Sequence, residues 1–435
     1  MVQPSGTRGS PTPPPPPAGA GLISLGSTAR AGADRGAERR VVLVGMAGAA
    51  LFLLAALLTV VSGLAGPTRW APLHLALAGA ASLAIGALLP HFTVSLATSR
   101  PAPAGWRLLA LGLLAGGALV AVIAVSAGAR PLAAAGAAAF IAGMLATAAT
   151  AFVPAHGGLG RRGGVVELGY GLALAAVVAA VSLALLDLAG VPAVVARWAW
   201  LKPAHAWLNL VGFLTVVVAS TLIHLYPTVV GSRIRPRRAM LVTVIGLSAG
   251  AGCVAVGYGV GNDLVARAGA LGAAAGALGA GVVGLDARRA RARWTTDPGW
   301  HRLTIGHLSC AIGWLVIGIG MASGAVLVHG ADPAGWSLDP LVGPLVVGCF
   351  VQVLIGSWSH LAPAVGPGDL ARHALQRKIL GRWPITRLVG LNAAAVLLVI
   401  GSWAASDALM AAGAGIGAAT VLVAIGLLAE AILRR

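Results

Sequence analysis

Three histidines near the ends of long apolar runs are the residues of this chain whose spacing points most directly to chemistry. Each follows a glycine by twelve residues, and the histidines lie 133 and 136 residues apart. Each run opens with a proline, and a small residue stands four positions before the histidine. This shared register indicates a triplicated unit, and histidine inside a membrane is costly and usually retained for a ligand or a proton. The three sets are Pro72, Gly79, Ala87 and His91; Pro203, Gly212, Ser220 and His224; and Pro340, Gly348, Gly356 and His360.

The apolar runs that carry these histidines are predicted to span a membrane as α-helices. The chain has 435 residues, of which 58% are hydrophobic and 10% charged, and its mean hydropathy is +0.90. Such a composition lies far outside that of soluble globular proteins. A helix needs about 20 apolar residues to cross the hydrocarbon layer. Twelve runs of suitable length occur, at 41–65, 71–96, 107–127, 131–153, 165–189, 205–230, 239–260, 263–285, 303–328, 341–363, 386–405 and 408–431.

The basic residues predict the orientation of these spans. With the N-terminus in the cytoplasm, the inner loops and tails carry 25 of the 30 Lys and Arg residues. This asymmetry predicts a multi-pass protein of the plasma membrane with both termini cytoplasmic. The net charge of +18 then faces anionic lipid, and nucleic acid is not an expected partner because no basic stretch belongs to a soluble domain.

The chain divides into a tail and one membrane domain. Residues 1–40 are rich in proline, glycine and serine, and we expect them to form a disordered cytoplasmic tail because they have little to bury. Residues 41–435 are predicted to form a twelve-helix transmembrane domain. Its approximate repeats are 41–153, 165–285 and 303–431.

The inner histidines are candidate ligands of a copper or zinc ion. The second, sixth and tenth spans all run from outside to inside, so His91, His224 and His360 are expected at one depth near the inner end. His307, on the ninth span and one turn before Cys310, is a further candidate because this spacing suits a metal. The alternative for each is an ordinary hydrogen-bonded or interfacial histidine.

The outer histidines are candidate ligands of haem b. His74 and His205 precede the inner histidines of their spans by 17 and 19 residues, which corresponds to about 25–28 Å of helix. They therefore belong to a second level, with His329 as a reserve ligand. A porphyrin also needs a slot lined by small residues, and those available are Gly79, Ala78, Gly212 and Ala80.

Carboxylates are predicted at the span ends, in loops and in the tail rather than at mid-membrane. Proton pumps and ion-coupled transporters commonly place a carboxylate at mid-membrane. The predicted distribution therefore disfavours a transporter without excluding it. The polar groups expected at mid-span are amides and hydroxyls such as Asn209, Gln352 and Asn392. No phosphate-binding loop or nucleophile motif occurs, so the catalytic residues are unknown.

Twelve spans in three groups of four, with histidines on the second helix of each group, resemble the catalytic subunit of haem–copper oxidases. The segments around His74, His205–Pro227 and Trp358–Pro363 are more similar to its divergent relatives, the NnrS-like membrane proteins of nitric-oxide metabolism and the membrane part of actinobacterial copper oxidase-type proteins. The resemblance implies an all-α fold of three four-helix arcs, with helices two, six and ten lining the interior. It also implies that His74 matches the haem ligand of helix two and that His205 is its counterpart on helix six.

The chain departs from the oxidase pattern at the metal ligands. Its seventh span has no histidine pair, its sixth lacks His-Pro-Glu-Val-Tyr, and its tenth lacks an outer His-x-His. Oxygen reduction by the usual mechanism is therefore not expected. The first hypothesis is a redox, respiratory or copper-handling membrane protein that binds haem b, copper or both, with a soluble cupredoxin or similar redox partner. The alternatives are a twelve-span secondary transporter and a cofactor-free assembly partner.

Overall fold

A computed structural model describes residues 20–61, 70–158, 164–234, 237–292, 300–364 and 370–434. These residues are almost entirely helical, and no β-strand occurs among them. Twelve helices within them are long and apolar enough to cross a membrane. In chain order, α1 to α12 are Ala20–Val61, Trp70–Ala97, Ala104–Ser126, Arg130–His156, Gly164–Leu188, Trp198–Val229, Arg237–Val260, Asp263–Arg289, Trp300–His329, Asp339–Pro363, Pro384–Trp403 and Asp407–Leu433.

The twelve spans predicted from the sequence are confirmed as twelve such helices. The most alanine- and glycine-rich run, 263–285, forms α8. Short helices at Pro192–Ala196 and Leu370–Leu380 lie in connections and were not foreseen. Helix α1 begins at Ala20, so it extends into the segment 1–40 that was expected to be a disordered tail, while residues 1–19 lie outside the described residues.

The helices form three arcs of four, with α2, α6 and α10 on the inside. In the most apolar window of these three helices, 61%, 78% and 78% of the residues are buried within the protein. In the other nine helices the share is between 22% and 50%, because those helices turn one face outward to lipid. The prediction that the second helix of each group lines the interior is confirmed.

Each inner helix contains a π-helical segment at the repeated glycine. These segments are Leu75–Ala81 in α2, Leu208–Thr215 in α6 and Val342–Val351 in α10. Each begins two to five residues after the proline that opens the run. Such wide turns are rare and frequently lie at functional sites. The threefold repeat seen in the sequence is thus also present in the backbone.

The repeated glycines are contact points between the first and second helix of each arc. A side chain at Gly79 would clash with Phe52 of α1, one at Gly212 would press on Ala176 of α5, and one at Gly348 would clash with Trp314 of α9. Small residues permit this close approach, which is a main source of helix association in membranes. The glycine of the motif is therefore explained by packing.

The small residue before each histidine is a second contact point between the same two helices. Ala87 packs against Gly45 of α1, Ser220 against Gly169 of α5, and Gly356 against His307 and Leu308 of α9. On the first helices these partners lie seven residues before those of the repeated glycines. His307 thus occupies the position that Gly45 and Gly169 hold in the other two arcs.

Outer helices pack backbone to backbone through glycine as well. A Cβ atom at Gly117 of α3 would lie 2.5 Å from the Phe140 nitrogen of α4, and one at Gly250 of α7 would lie 2.5 Å from the Ala273 nitrogen of α8. Real Cβ atoms do not approach a backbone so closely. Each pair would have to separate to admit a methyl group.

Gly117→Ala is expected to destabilise the protein by about 1–3 kcal/mol, because the added methyl forces α3 away from α4. Gly116→Ala is the matched control, since Gly116 faces outward and a Cβ atom there would have nothing within 4 Å. Alanine is the better helix former, so the control is expected to be neutral or slightly stabilising. Thermal unfolding of both variants in detergent measures the difference. Equal melting temperatures would contradict the tight α3–α4 contact.

Candidate functional site

His74 lies in the first turn of α2 with its ring held by its own helix. The Nδ1–H donates to the carbonyl oxygen of Trp70 at 2.8 Å, and the ring stacks on the Trp70 indole at a centroid distance of 4.2 Å. Because a carbonyl oxygen can only accept, the proton must reside on Nδ1. The lone pair is then on Nε2, which is the arrangement that metal-ligating histidines usually show.

His205 of α6 is oriented in the same manner by a neighbouring helix. Its Nδ1–H donates to the carbonyl oxygen of Ala180 in α5 at 2.8 Å. Its Nε2 lies 3.2 Å from the side-chain amide nitrogen of Asn209, so the lone pair accepts a hydrogen bond from that amide. The two predicted haem ligands thus have the same tautomer, with the proton on Nδ1, and their pairing stays a prediction.

His329 ends α9 and is exposed. Its side chain packs against Gly335 of the following turn, where any larger residue would clash with it. Its role as a reserve ligand stays a prediction.

Two of the small residues expected to line a porphyrin slot are contact points between helices. Gly79 and Gly212 are covered by Phe52 and Ala176 of the preceding helices, so their faces are filled by protein. Of the four residues proposed for the slot, Ala80 lines the cavity described next, and the other three do not. The two glycines serve helix packing, and a porphyrin slot beside His74 and His205 stays a prediction.

A cavity of about 100 Å³ lies instead on the axis between α2, α6 and α10. Its wall is almost wholly aliphatic and aromatic, with residues such as Ala84, Leu88 and Phe350. No histidine is among the described residues that line it. This cavity and the histidines are thus at different places.

The inner histidines are not brought together as a metal site. The described residues contain no group of three His, Cys, Asp or Glu side chains that could hold an ion, so His91, His224, His360 and His307 do not form one. His224 and His360 are half-buried.

His91 belongs to a charge cluster that the sequence did not indicate. Its Nδ1 lies 2.8 Å from a carboxylate oxygen of Glu38 in α1. That carboxylate also forms a two-pronged ion pair with Arg107 of α3, whose guanidinium is 2% exposed. Glu38 was placed in the tail and Arg107 at the edge of the third span, so no local signal joined them. The cluster ties the first three helices together at the end of the membrane where His91 lies.

His307 is the first member of a chain of buried side chains joined by hydrogen bonds. It is fully buried, and its Nδ1–H donates to the Gln352 side-chain oxygen of α10 at 3.0 Å. The Gln352 amide donates to the Asn392 side-chain oxygen of α11 at 3.3 Å, and the Trp314 indole N–H donates to that oxygen at 2.8 Å. The other ring nitrogen of His307 has no hydrogen-bond partner. The chain joins α9, α10 and α11 with hydrogen bonds in a layer where water is scarce.

Comparison with known proteins identifies the fold. The chain is similar to a haem–copper terminal oxidase solved as a dimer by cryo-electron microscopy, with a TM-score of 0.70. The match covers 92% of this chain and 84% of the oxidase chain at 12% sequence identity. No family model matches the sequence, and no curated protein matches it. At this identity the likeness shows the fold, and the chemistry has to be argued from the residues.

Glu38→Gln is expected to lower the free energy of unfolding by about 3 kcal/mol, because it leaves the buried Arg107 guanidinium without its anion. The double variant Glu38→Gln/Arg107→Met is expected to recover much of the loss, since no unpaired charge remains. Chemical unfolding of the single and double variants in detergent measures the coupling. Strictly additive losses would contradict the ion pair.

Proposed function

We propose that this chain is a redox membrane protein that binds b-type haem through His74 and His205 on a haem–copper oxidase-like scaffold. The proposal builds on the fold and on the twelve membrane-spanning helices. The observation that carries it is the shared orientation of the two imidazoles. Both donate Nδ1–H to a main-chain carbonyl, which leaves Nε2 as the basic atom for iron.

The donor chemistry fits haem better than copper. Two neutral imidazoles are a sufficient axial pair for haem b, which when bound supplies one-electron transfer. A copper centre of the oxidase kind needs three histidines, and the described residues do not group three potential ligands. The residues present do not fit copper, so we derive no step through that metal.

In haem binding, the residues around His74 and His205 would hold and orient the two imidazoles. Trp70 and Ala180 would fix the imidazoles through their carbonyl oxygens, at 2.8 Å in each case. Asn209 would have to release Nε2 of His205, with which it now shares a hydrogen bond. Asn209 is therefore a positioning residue, and its removal should leave the ligand set intact.

The two alternative hypotheses, a transporter and a cofactor-free assembly partner, predict different properties of the protein. A secondary transporter of the usual kind has two six-helix halves, whereas this chain has three four-helix arcs. A cofactor-free assembly partner would keep the fold and bind no haem. Several finer assignments stay predictions: a role in nitric-oxide metabolism, a soluble cupredoxin or other redox protein as the partner, and a plasma-membrane location with both termini cytoplasmic.

The purified protein, expressed with ample haem, is expected to show the reduced-minus-oxidised spectrum of a b-type haem at about one per chain. His74→Ala and His205→Ala should each lose most of that signal, because either change removes an axial ligand. His156→Ala is the matched control, since its Nδ1 also bonds a carbonyl one turn earlier, that of Phe152 at 2.8 Å, but its ring is exposed. Asn209→Ala should retain the haem.

A colourless wild-type protein without stoichiometric iron would overturn the haem proposal and favour the cofactor-free partner. Equal loss in His156→Ala would indicate general damage rather than ligand removal.

A further inference from the structure

The cavity on the axis of the three arcs has a polar feature that packing does not explain. Ser357 of α10 lines the cavity and is only 5% exposed. Its hydroxyl has no hydrogen-bond partner. A buried hydroxyl without a partner carries a desolvation cost, so a group that bonds to it would be stabilised there.

Two nearby hydroxyls, one on the same helix and one on the cavity wall, have hydrogen-bond partners that Ser357 lacks. Ser359 of α10 donates to the carbonyl oxygen of Ile355 at 2.8 Å, one turn earlier in its own helix. Thr221 of α6 donates to the carbonyl oxygen of Val217 at 2.8 Å. Ser357 lacks such a bond although it lies on the same helix as Ser359. Its hydroxyl is thus free both to donate and to accept.

A second polar atom on the wall can only accept. The Tyr170 hydroxyl of α5 lies 3.0 Å from Thr221 Oγ1. Because the Thr221 proton is already given to Val217, the tyrosine is the donor in this pair. The Tyr170 oxygen keeps lone pairs. The cavity therefore offers one free hydroxyl and one free acceptor.

The remaining wall excludes charged and strongly polar occupants. None of the described residues that line the cavity is charged, so an ion would lose its hydration without gaining a partner. A water molecule needs two to four polar partners to be stable in a cavity, and an almost wholly apolar wall supplies few. An engineered apolar cavity of about 150 Å³ holds benzene. At about 100 Å³ this cavity is of the order of a single ring.

We propose that this cavity is a binding site for a lipid-soluble small molecule, and that it accepts one ring-sized, uncharged group bearing a hydroxyl or carbonyl oxygen. Ser357 recognises that oxygen, and the aliphatic wall of α2, α6 and α10 holds the ring. The site is separate from His74 and His205, because no histidine is among the described lining residues.

Fluorine NMR of the purified full-length protein in detergent tests the site with two probes. 4-Fluorophenol carries the oxygen, and fluorobenzene is the matched ring without it. Wild-type protein is expected to bind both in a saturable manner and 4-fluorophenol more tightly. Ser357→Ala should weaken 4-fluorophenol binding about three- to tenfold, the usual effect of one hydrogen bond, and leave fluorobenzene unchanged.

Two further variants separate the cavity from general effects. Ala84→Leu fills the cavity, since Ala84 lines it and is 4% exposed, and should abolish saturable binding of both probes. Ser323→Ala is the control, because Ser323 is likewise buried with an unbonded hydroxyl but does not line the cavity. It should bind as the wild type does.

If neither probe shows saturable binding to the wild type, no ligand site exists there. If both bind equally and Ser357→Ala changes nothing, the cavity is only an apolar space filled by lipid chains. Either result overturns the proposal. Should Ala84→Leu fail to fold, the comparison of the two probes on Ser357→Ala still decides the question.

Discussion

Polar side chains within the hydrocarbon layer must find partners inside the protein, because lipid offers none. This constraint explains how several helices are joined. The amide chain from His307 through Gln352 to Asn392 lies between α9, α10 and α11, and the inner helices α6 and α10 are the most buried of all. The same constraint draws α1, α2 and α3 together at Glu38, where one carboxylate serves both His91 and Arg107. Glycine then permits the close approach that these bonds require.

The membrane spans and the threefold register could be predicted from the sequence, because both depend on local features. Length and hydropathy define each span, and a fixed glycine-to-histidine spacing marks the repeat. The role of the glycines could not be predicted. A glycine that lines a cofactor slot and a glycine that packs on Phe52 have the same spacing, and only the neighbouring helix distinguishes them.

The grouping of the inner histidines could not be predicted either, for a related reason. Equal depth of His91, His224 and His360 follows from helix direction, but convergence depends on which face each helix turns inward. Glu38 and Arg107 are 69 residues apart, and a carboxylate assigned to a tail carries no local sign of an ion pair in the membrane domain. His74 and His205 both lie near the start of inner helices, and their role as haem ligands stays a prediction.

The likeness to a haem–copper oxidase and the absence of its copper ligands among the described residues are compatible. Apolar periodicity and small residues at helix crossings specify a scaffold of three arcs. Many different sequences meet these requirements, so two chains with 12% identity can share the scaffold. A metal centre needs particular donors at particular distances and is lost by a few substitutions. This chain has two imidazoles with the same orientation, and an axial cavity that holds an unbonded serine hydroxyl.

The central claim is that three repeated helices surround one common interior, each with a wide turn at its glycine. A cryo-electron microscopy map of the purified protein in lipid nanodiscs tests it most directly. The expected result is a ring of α2, α6 and α10 around the axial cavity, with π-helical backbone at Leu75–Ala81, Leu208–Thr215 and Val342–Val351. Regular α-helix at these three places, or an arrangement in two six-helix halves with α6 facing lipid, would contradict the claim.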